Sequence, residues 1–315
     1  MQETVDEAVS GEFERLRPYL LRVAYSHLGS LTEAEDVVQE AWLRLVSVDG
    51  KEIRDLRAWM TTVVARLSLD VLTSARSRRE RYVGPWLPEP LVQQPAEGAD
   101  PAGRVELDDS VSMALMVILE SLSPAERSAF LLHDVFGYSF SEVARVVGRT
   151  PAATRQIASR ARRAVEARRP RCPAAPEEQH KVVQAFLEAT QNGDIASLVE
   201  LLDPAVTFRS DGGGLVSAAR KVLTGAERVA RIFTAMAGHF GERLRFSPLY
   251  VNGAPGLLLD IRGTPSVVSF TLDRGLITEI DIVRNPEKLG TLECPDRSEL
   301  AGSAPPANLA GPRHP

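Results

Sequence analysis

The chain has 315 residues, 44% of them hydrophobic, and a formal net charge of −5, which suits two or three domains with their own cores. Cys172 and Cys294 lie far apart without metal-ligand spacing, so we expect a reducing compartment and neither a metal nor another cofactor. The N-terminus lacks the pattern of a secretion signal, and no apolar run reaches about 18 residues. We therefore expect a cytoplasmic protein without membrane contact.

Residues 11–83 predict a helical domain. An amphipathic helix is expected to end at Gly29, and Thr32 is expected to cap a second helix whose first turn is acidic. After a polar loop, a third helix is predicted from about Arg57 to Arg81.

Residues 84–110 are acidic and rich in proline and glycine, so we predict a linker without regular structure. The motif WLPEP at its start places a tryptophan and a leucine in a stiff, extended segment. This composition suggests a docking peptide, although apolar residues can also occur by chance in a spacer.

Residues 111–169 predict a helix-turn-helix. Ser123 and Ser139 each precede a glutamate by three residues, as in a capping box, and Gly148 and Thr150 predict the turn between two helices. The segment 145–171 has nine arginines and one acidic residue, a net charge of +8 that favours duplex DNA over the alternative of a solvated basic helix.

The last of these helices is expected to bury Ala153, Ile157, Ala161 and Ala164. Its other faces then carry the candidates for DNA contact. We expect base contacts from Arg155, Gln156, Ser159 and Arg160, and phosphate contacts from Arg149, Arg162 and Arg163.

Residues 177–290 alternate between helical and β-like patterns, which predicts an α+β domain with helices packed on a curved antiparallel sheet. Asp211, His239 and Asp260 are candidate acid–base groups, but no nucleophile accompanies them and such residues usually have a structural role. The glycines after Asp211 lack the context of a phosphate loop, so we interpret them as a docking turn. Residues 291–315 are expected to form a disordered tail.

The first 170 residues resemble a bacterial RNA polymerase sigma factor of the extracytoplasmic-function group. The segment 34–42, AEDVVQEAW, is similar to the helix that binds the polymerase clamp. The segment from Arg57 to Asp70 is similar to the helix that reads and melts the minus-ten element, and the helix-turn-helix is similar to the module for the minus-thirty-five element.

This resemblance implies that the partners are promoter DNA and core RNA polymerase, through its beta-prime clamp and beta flap. It assigns polymerase binding to Asp36, Gln39 and Glu40, and minus-ten recognition to Arg57, Arg66, Arg76, Arg78 and Arg79. Many family members have asparagine at the position of Arg66, so base preference is expected to differ here.

The rest of the chain resembles the SigJ-like subgroup, in which a SnoaL-like C-terminal domain is thought to control the sigma core in place of a separate anti-sigma protein. Three motifs carry this likeness, and their residues are the expected regulatory contacts: Trp86, Leu87, Pro88, Glu89 and Pro90; Asp211, Gly212, Gly213 and Gly214; Asn285, Pro286 and Lys288. Family versions of the glycine motif often continue with a basic residue, whereas Leu215 follows here.

The sequence therefore predicts a multidomain protein with two all-α sigma domains followed by an α+β SnoaL-like cone. The expected function is that of a non-enzymatic alternative sigma factor modulated in cis, and a small ligand of unknown identity in the cone is left open. Two alternatives remain: a ligand-gated transcription factor that binds DNA without polymerase, and an enzyme fused to a DNA-targeting module.

Overall fold

The computed structural model describes residues 2–48, 53–79, 82–94, 112–261, 264–290 and 292. Arg81, most of the expected tail and linker residues 95–110 lie outside these ranges, as do the side chains of Arg76, Arg78 and Arg79. The helices are α1 (Gln2–Leu28), α2 (Leu31–Ser47), α3 (Leu56–Arg79), α4 (Met113–Leu119), α5 (Pro124–Phe130), α6 (Phe140–Val147), α7 (Pro151–Glu166), α8 (Pro176–Asn192), α9 (Ile195–Leu201), α10 (Ala226–Phe240) and α11 (Pro286–Leu289). The strands are β1 (Val92–Gln93), β2 (Leu202–Asp211), β3 (Leu223–Thr224), β4 (Leu244–Val251), β5 (Ala254–Ile261), β6 (Thr264–Asp273) and β7 (Leu276–Val283).

Local capping signals fix most helix ends. Gly29 ends α1 with a φ of 69°, a conformation that favours glycine. The prediction that Thr32 caps α2 is wrong: Ser30 is the cap, and its hydroxyl accepts a hydrogen bond from the Glu33 backbone N–H. Ser30 has the extended backbone that a cap needs, whereas Thr32 already lies inside the helix.

The second helical domain has the caps that the sequence predicted. Ser123 and Ser139 both form complete capping boxes, at α5 and α6, and Gly148 ends α6 with a φ of 64°. The predicted buried stripe of α7 is only partly right, since Thr154, Ala158, Ala161 and Val165 are the buried residues. Of the expected set Ala153, Ile157, Ala161 and Ala164, Ala161 alone is fully buried, because the helix is rotated so that the adjacent stripe faces the core.

In the C-terminal domain, helices α8 to α10 pack on a mixed sheet with the strand order β1-β4-β5-β6-β7-β2-β3. Strands β4 to β7 form an antiparallel meander, but β2 runs parallel to β7, so the prediction of an antiparallel sheet is wrong at this pair. The connection from β2 to the meander runs through α10 on one face, and such a crossover permits parallel pairing.

The prediction that the linker has no regular element is also wrong. Its residues Val92 and Gln93 form β1 and pair antiparallel with Val251 and Tyr250 at the edge of β4. An extended segment can add to a sheet because an edge strand presents unpaired backbone groups. These two linker residues are thereby part of the C-terminal sheet.

The hydrophobic cores cross domain boundaries. The largest core joins α1, α2 and α3 to residues of α4, α5 and α7. A second core fills the space between the sheet and α8, α9 and α10, and a third joins Leu87 of the linker and Met113 of α4 to the opposite face of the sheet. Within the described ranges, no helix is long and apolar enough to cross a membrane.

Candidate nucleic-acid and interdomain interfaces

Helix α7 presents most of the expected DNA-reading residues on one surface. Thr150 caps the helix and Pro151 occupies its first position, where the missing N–H carries no cost. Since the buried stripe faces the core, the polar stripe faces outward. The exposed side chains along it are Arg155, Gln156, Ser159, Arg160 and Arg163.

Among the arginines expected to contact DNA, Arg162 and Arg155 meet side chains from outside α7. Arg162 forms an ion pair with Asp134, and its Nε lies 2.7 Å from the carboxylate. The Arg155 guanidinium lies 5.5 Å from the centre of the Phe140 ring. Arg149, in the turn before α7, is exposed. The outward face of α7 is thus basic, with Arg162 turned toward a carboxylate.

The described minus-ten candidates on α3 meet other helices. The Arg57 guanidinium lies 4.3 Å from the centre of the Tyr19 ring of α1. Arg66 donates from Nη2 to the backbone carbonyl of Arg145, in α6, at 2.9 Å. Helix α3 therefore lies against the second helical domain at the position where the resemblance expected a base contact.

The polymerase-binding candidates lie along one exposed stripe of α2. Asp36, Gln39 and Glu40 are exposed, and Glu40 accepts a hydrogen bond from Arg44 at 3.1 Å. Sequence reasoning missed two apolar residues that continue this stripe: Leu43 and Val46 are 57% and 62% exposed. Their spacing of three and four residues from the acidic positions was the available signal.

Asp211 is the centre of the contact between the linker and the C-terminal domain. Its carboxylate has no solvent exposure. It accepts hydrogen bonds from the Tyr82 hydroxyl at 2.6 Å and the Leu87 backbone N–H at 2.9 Å, both in the segment that follows α3. It also accepts from the Gly213 N–H at 3.0 Å and forms an ion pair with Lys288 at 2.7 Å. We call this set of residues the Asp211 clamp.

The three motifs that the resemblance assigned to regulatory contacts meet in this clamp. Lys288 also donates to the Leu87 carbonyl, and its ammonium lies 4.0 Å from the centre of the Trp86 ring. Asn285 donates to the Tyr82 hydroxyl at 2.9 Å. Burial, together with the hydrogen bond to Asp211, raises the pKa of Tyr82 well above its usual value, so its hydroxyl stays protonated and donates to the carboxylate.

Gly212, Gly213 and Gly214 allow the loop after β2 to approach its neighbours closely. Gly213 has a φ of 65°, and a Cβ at this position would lie 2.6 Å from the Asn285 side chain. A Cβ on Gly212 would lie 2.5 Å from the Val216 carbonyl oxygen. Leu215, the residue that follows these glycines, is 61% exposed and faces solvent.

The opposite side of the linker motif contacts the first helical domain. The Glu89 N–H donates to the Gly29 carbonyl at 2.8 Å, and the Glu89 carboxylate accepts from the Leu31 N–H at 2.8 Å. A Cβ on Gly29 would lie 2.9 Å from the Trp86 ring, so the glycine makes room for the tryptophan. Pro88 and Pro90 are buried. The motif is thus held between two domains.

Tyr25 and Asn252 tie the same three parts together, and sequence reasoning missed both. The Tyr25 hydroxyl donates to the Glu89 carbonyl at 2.7 Å and accepts from the Asn252 side chain at 2.9 Å. Asn252 also exchanges hydrogen bonds with the backbone of Leu91. The two partners of the Tyr25 hydroxyl, Glu89 and Asn252, are 64 and 227 residues away in the sequence, so no local pattern signals these contacts.

The interior of the cone is occupied by aromatic rings. The Phe186 ring lies 4.9 Å from that of Phe233 and 5.1 Å from that of Phe270, between centres, and Phe208 lies 5.8 Å from Phe233. Among the described residues, no three histidine, cysteine or acidic side chains gather as a metal-binding group. These rings fill the space between the sheet and helices α8 and α10.

The candidate acid–base groups are not brought together. Asp211 lies on β2 and Asp260 on β5, with β6 and β7 between them, a separation of roughly 14 Å at about 4.8 Å per strand. His239 lies on α10, where its ring contacts Phe240. Asp211 is moreover held by Lys288 and the linker, so it is occupied as a structural acceptor.

A buried charged group on β2 and β7 was also missed. Arg209 donates to Asp281 at 2.6 Å and to Glu279 at 2.5 Å, and Asp281 is buried. Burial raises the pKa of both carboxyl groups, against the attraction of the guanidinium. The pairing satisfies three charged side chains at the strand pair where the sheet becomes parallel.

Comparisons with known proteins agree with this architecture. Residues 13–78 match the family model of Sigma-70 region 2, and residues 112–165 match that of Sigma-70, region 4. The chain is 40% identical over 288 residues to the ECF RNA polymerase sigma factor SigJ of Mycobacterium tuberculosis, covering 88% of this chain and 92% of the relative. It is 36% identical over 301 residues to the probable ECF RNA polymerase sigma factor SigI of the same species, covering 94% and 98%.

A crystal structure of the M. tuberculosis extracytoplasmic function sigma factor SigJ is also similar. It has a TM-score of 0.73 and 36% sequence identity, over 89% of this chain and 98% of that one. The likeness thus spans the helical domains and the C-terminal cone.

Proposed function

Because the chain belongs to the extracytoplasmic-function sigma factors of RNA polymerase, it directs core polymerase to promoters and initiates transcription there, and we propose that its SnoaL-like C-terminal domain modulates this activity in cis. The residues of region 2 lie in α1, α2 and α3, and those of region 4 in α4 to α7. In this proposal the linker and the C-terminal domain together form the regulatory part of the chain. We place this activity in the cytoplasm, where the chromosome and polymerase are.

Each helical surface takes one role in the proposal. The exposed stripe of α2, from Asp36 to Val46, binds the beta-prime clamp. Helix α3 and its arginines bind the minus-ten element, and α7 reads the minus-thirty-five element while region 4 contacts the beta flap. The exposed basic face of α7 and the exposed acidic and apolar stripe on α2 support these assignments.

The observation that carries cis control is the Asp211 clamp. Asp211 and Lys288 belong to the C-terminal domain, yet their buried polar atoms are satisfied by Tyr82 and Leu87, in the segment that leaves region 2. Removing one partner of a buried ion pair costs about 3–5 kcal/mol, because the other charge stays buried and unpaired. A structural change in the C-terminal domain is therefore transmitted through the clamp to the junction between regions 2 and 4.

We propose that this control works through contact and without catalysis. The cone interior is packed with phenylalanine, and Asp211 and Asp260 lie on strands separated by two others. A ligand inside the cone would have to displace rings such as Phe186 and Phe233. The supported regulatory surface is instead the outer face of the domain, where the linker lies.

The proposal is tested by run-off transcription with core polymerase, on promoters selected from random DNA by the full chain. We compare the wild type with Asp211→Asn, which keeps the side-chain shape but removes the charge. The matched control is Glu227→Gln, since Glu227 lies in the same domain and pairs with Arg231 at 2.9 Å on an exposed helix face. We expect Asp211→Asn to change initiation at least about fivefold and Glu227→Gln to leave it within the error.

Circular dichroism and thermal unfolding establish that each variant is folded at the assay temperature. Equal transcription from folded Asp211→Asn and wild type would refute cis control through the clamp. Lack of core binding by the wild type would refute the polymerase contacts proposed for α2.

A further inference from the structure

Helix α5 continues into one π-helical turn, Leu131–Val135, before the segment that leads to α6. The turn is closed by a hydrogen bond from the Phe136 N–H to the Leu131 carbonyl at 2.9 Å, five residues apart. This wider turn changes the direction of the side chains that it carries, and such turns are often found at functional sites. His133 and Asp134 lie in the turn, and both contact the helix-turn-helix.

An aromatic pair links the π-helical turn to Arg155. The centre of the His133 ring lies 3.8 Å from that of the Phe140 ring, at the start of α6, with 31° between the ring planes. The Arg155 guanidinium lies 5.5 Å from the centre of the same Phe140 ring, which is within cation–π distance. The three side chains are thus connected in series, from the π-helical turn to the exposed face of α7.

Local contacts hold both rings of this series in place. The His133 Nδ1 lies 2.8 Å from the Tyr138 carbonyl oxygen, and because a carbonyl only accepts, this nitrogen carries a proton and donates it. Phe140 directly follows Ser139, whose capping box fixes the start of α6. The Phe140 ring also packs against the apolar core to which α6 and α7 contribute. Arg155, by contrast, is exposed, so the rings form a fixed platform for a side chain that faces solvent.

The same π-helical turn holds α7 at a second point. Asp134 accepts a hydrogen bond from the Arg162 Nε at 2.7 Å. Arg155 and Arg162 are seven residues apart, close to two turns of an α-helix, so they lie on one side of α7 and about 10 Å apart along its axis. The π-helical turn is therefore connected to α7 at two levels of one side, which holds the rotation of that helix.

Base reading by an arginine depends on the direction of its guanidinium. A guanine presents O6 and N7 to two N–H groups of the guanidinium, so the plane of this group must match the edge of the base. A free arginine side chain samples many rotamers and loses that freedom when it binds. Contact with Phe140 restricts the rotamers of Arg155 before DNA binds, which lowers the entropic cost of binding.

We propose that Phe140 and His133 are positioning residues for base reading: they orient the Arg155 guanidinium on the exposed face of α7 and thereby set the strength of one base preference. The inference rests on the base-reading role proposed for Arg155 and explains how that role is achieved. Both residues act through Arg155. Loss of the platform therefore reduces discrimination at the base that Arg155 reads and leaves discrimination at the other positions of the minus-thirty-five element unchanged.

Fluorescence anisotropy of the full chain, with the selected minus-thirty-five duplex and its single-base variants, measures this discrimination. Phe140→Leu keeps an apolar side chain but removes the ring, and we expect it to lower discrimination at the position that Arg155 reads roughly 3- to 10-fold. Phe140→Tyr keeps the ring and should retain the discrimination of the wild type. Phe240→Leu is the matched control and should have no effect, since the Phe240 ring contacts His239 in the C-terminal domain, 4.7 Å away between centres.

His133→Asn removes the other ring of the platform but keeps an N–H donor close to the Tyr138 carbonyl. It should lower discrimination at the same single position. Circular dichroism and thermal unfolding establish that each variant is folded at the assay temperature. If Phe140→Leu does not fold, His133→Asn carries the test, with the same expected result.

A double-mutant cycle separates positioning from a general structural role. If Phe140 acts through Arg155, Phe140→Leu should have no further effect on discrimination in an Arg155→Ala background. A uniform loss of affinity for all duplexes from folded Phe140→Leu, or additive effects in the cycle, would overturn the positioning role and leave base reading by Arg155 intact. If Arg155→Ala itself weakens binding to all duplexes equally, the base-reading role of Arg155 fails, and the positioning role fails with it.

Discussion

Asp211 and Gly213 hold the contact between the linker and the C-terminal domain, and single substitutions can test the contribution of each. The Asp211 carboxylate is buried and takes its donors from the linker and the C-terminal domain. Gly213 supplies one of those donors and holds a left-handed conformation that places its Cα against Asn285. Both residues are therefore sensitive to the addition or removal of very few atoms.

Gly213→Ala should destabilise the protein by about 1–3 kcal/mol, because it adds a Cβ 2.6 Å from Asn285 at a φ of 65°. The matched control is Gly238→Ala, an exposed position inside α10 with open space around the Cβ, which should stabilise the protein by about 0.5–1 kcal/mol. Urea denaturation of the full chain measures both changes. Equal stability of Gly213→Ala and the wild type would mean that the loop is not confined as described.

His27 makes the protein sensitive to acid. Burial in the core of region 2 lowers the pKa of its imidazole to about 4, against the effect of its hydrogen bond to the Val23 carbonyl. The unfolded chain takes up this proton near pH 6.5, so protonation favours unfolding. The free energy of unfolding should fall by about 1 kcal/mol between pH 7.5 and 5.5 from this group, and further until about pH 4.

His27→Gln should flatten that dependence, whatever its effect on stability at pH 7.5. His239→Gln is the control, since His239 is exposed on α10. The difference in unfolding free energy between the two pH values is measured for each variant. If His27→Gln keeps the full dependence of the wild type, another group is responsible.

At the scale of elements, the linker motif serves as a cap for α2. The Glu89 carboxylate accepts hydrogen bonds from the Leu31 N–H at 2.8 Å and the Ser30 hydroxyl at 3.3 Å, where the helix dipole favours a negative charge. Glu89→Gln should cost about 0.5–2 kcal/mol of stability, by analogy with the loss of a cap. Glu14→Gln in α1, whose ion pair with Arg17 is 3.9 Å long and exposed, should cost much less. Thermal unfolding compares the two, and equal losses would argue against the cap.

Substitutions on helix α7 should distinguish the residues that read bases from those that bind phosphate. Arg155→Ala is expected to reduce the free energy of DNA binding by about 1–3 kcal/mol and to relax the preference at one base position. Arg163→Ala should instead weaken binding similarly for all sequences. Arg231→Ala, on an exposed face of α10, is the control. Fluorescence anisotropy with the selected minus-thirty-five duplex and single-base variants measures these effects at several salt concentrations. A uniform loss from Arg155→Ala would reassign that residue to phosphate binding.

For the whole molecule, local signals were predictable and long-range contacts were not. The capping boxes at Ser123 and Ser139 depend on residues three positions apart, so the sequence was sufficient to predict them. Strand β1 forms only because β4 offers an edge, and Val92 is 159 residues from its partner Val251. Arg127 looks like a surface arginine in the sequence, but it is buried, where it pairs with Glu120 and donates to the Ser26 carbonyl, 101 residues away.

In the candidate sites, too, residues set by local patterns were predictable from the sequence and residues brought together by long-range contacts were not. The helix-turn-helix surface follows from helical periodicity, although the buried stripe was displaced from the predicted one. The residues of the linker and glycine motifs were predicted through the family resemblance, whereas Tyr82, Tyr25 and Asn252 became visible only when the structure brought distant segments together. The parallel pairing of β2 with β7 likewise depends on the path of α10.

The measurement that tests cis control most directly is a double-mutant cycle in transcription. Tyr82→Phe alters the linker side of the clamp, Asp211→Asn alters the domain side, and 2.6 Å separates the two oxygen atoms in the wild type. If the C-terminal domain acts through this contact, the double variant should initiate transcription about as well as the more strongly affected single variant. Additive effects of the two substitutions, or no effect of either in folded protein, would contradict control through the clamp.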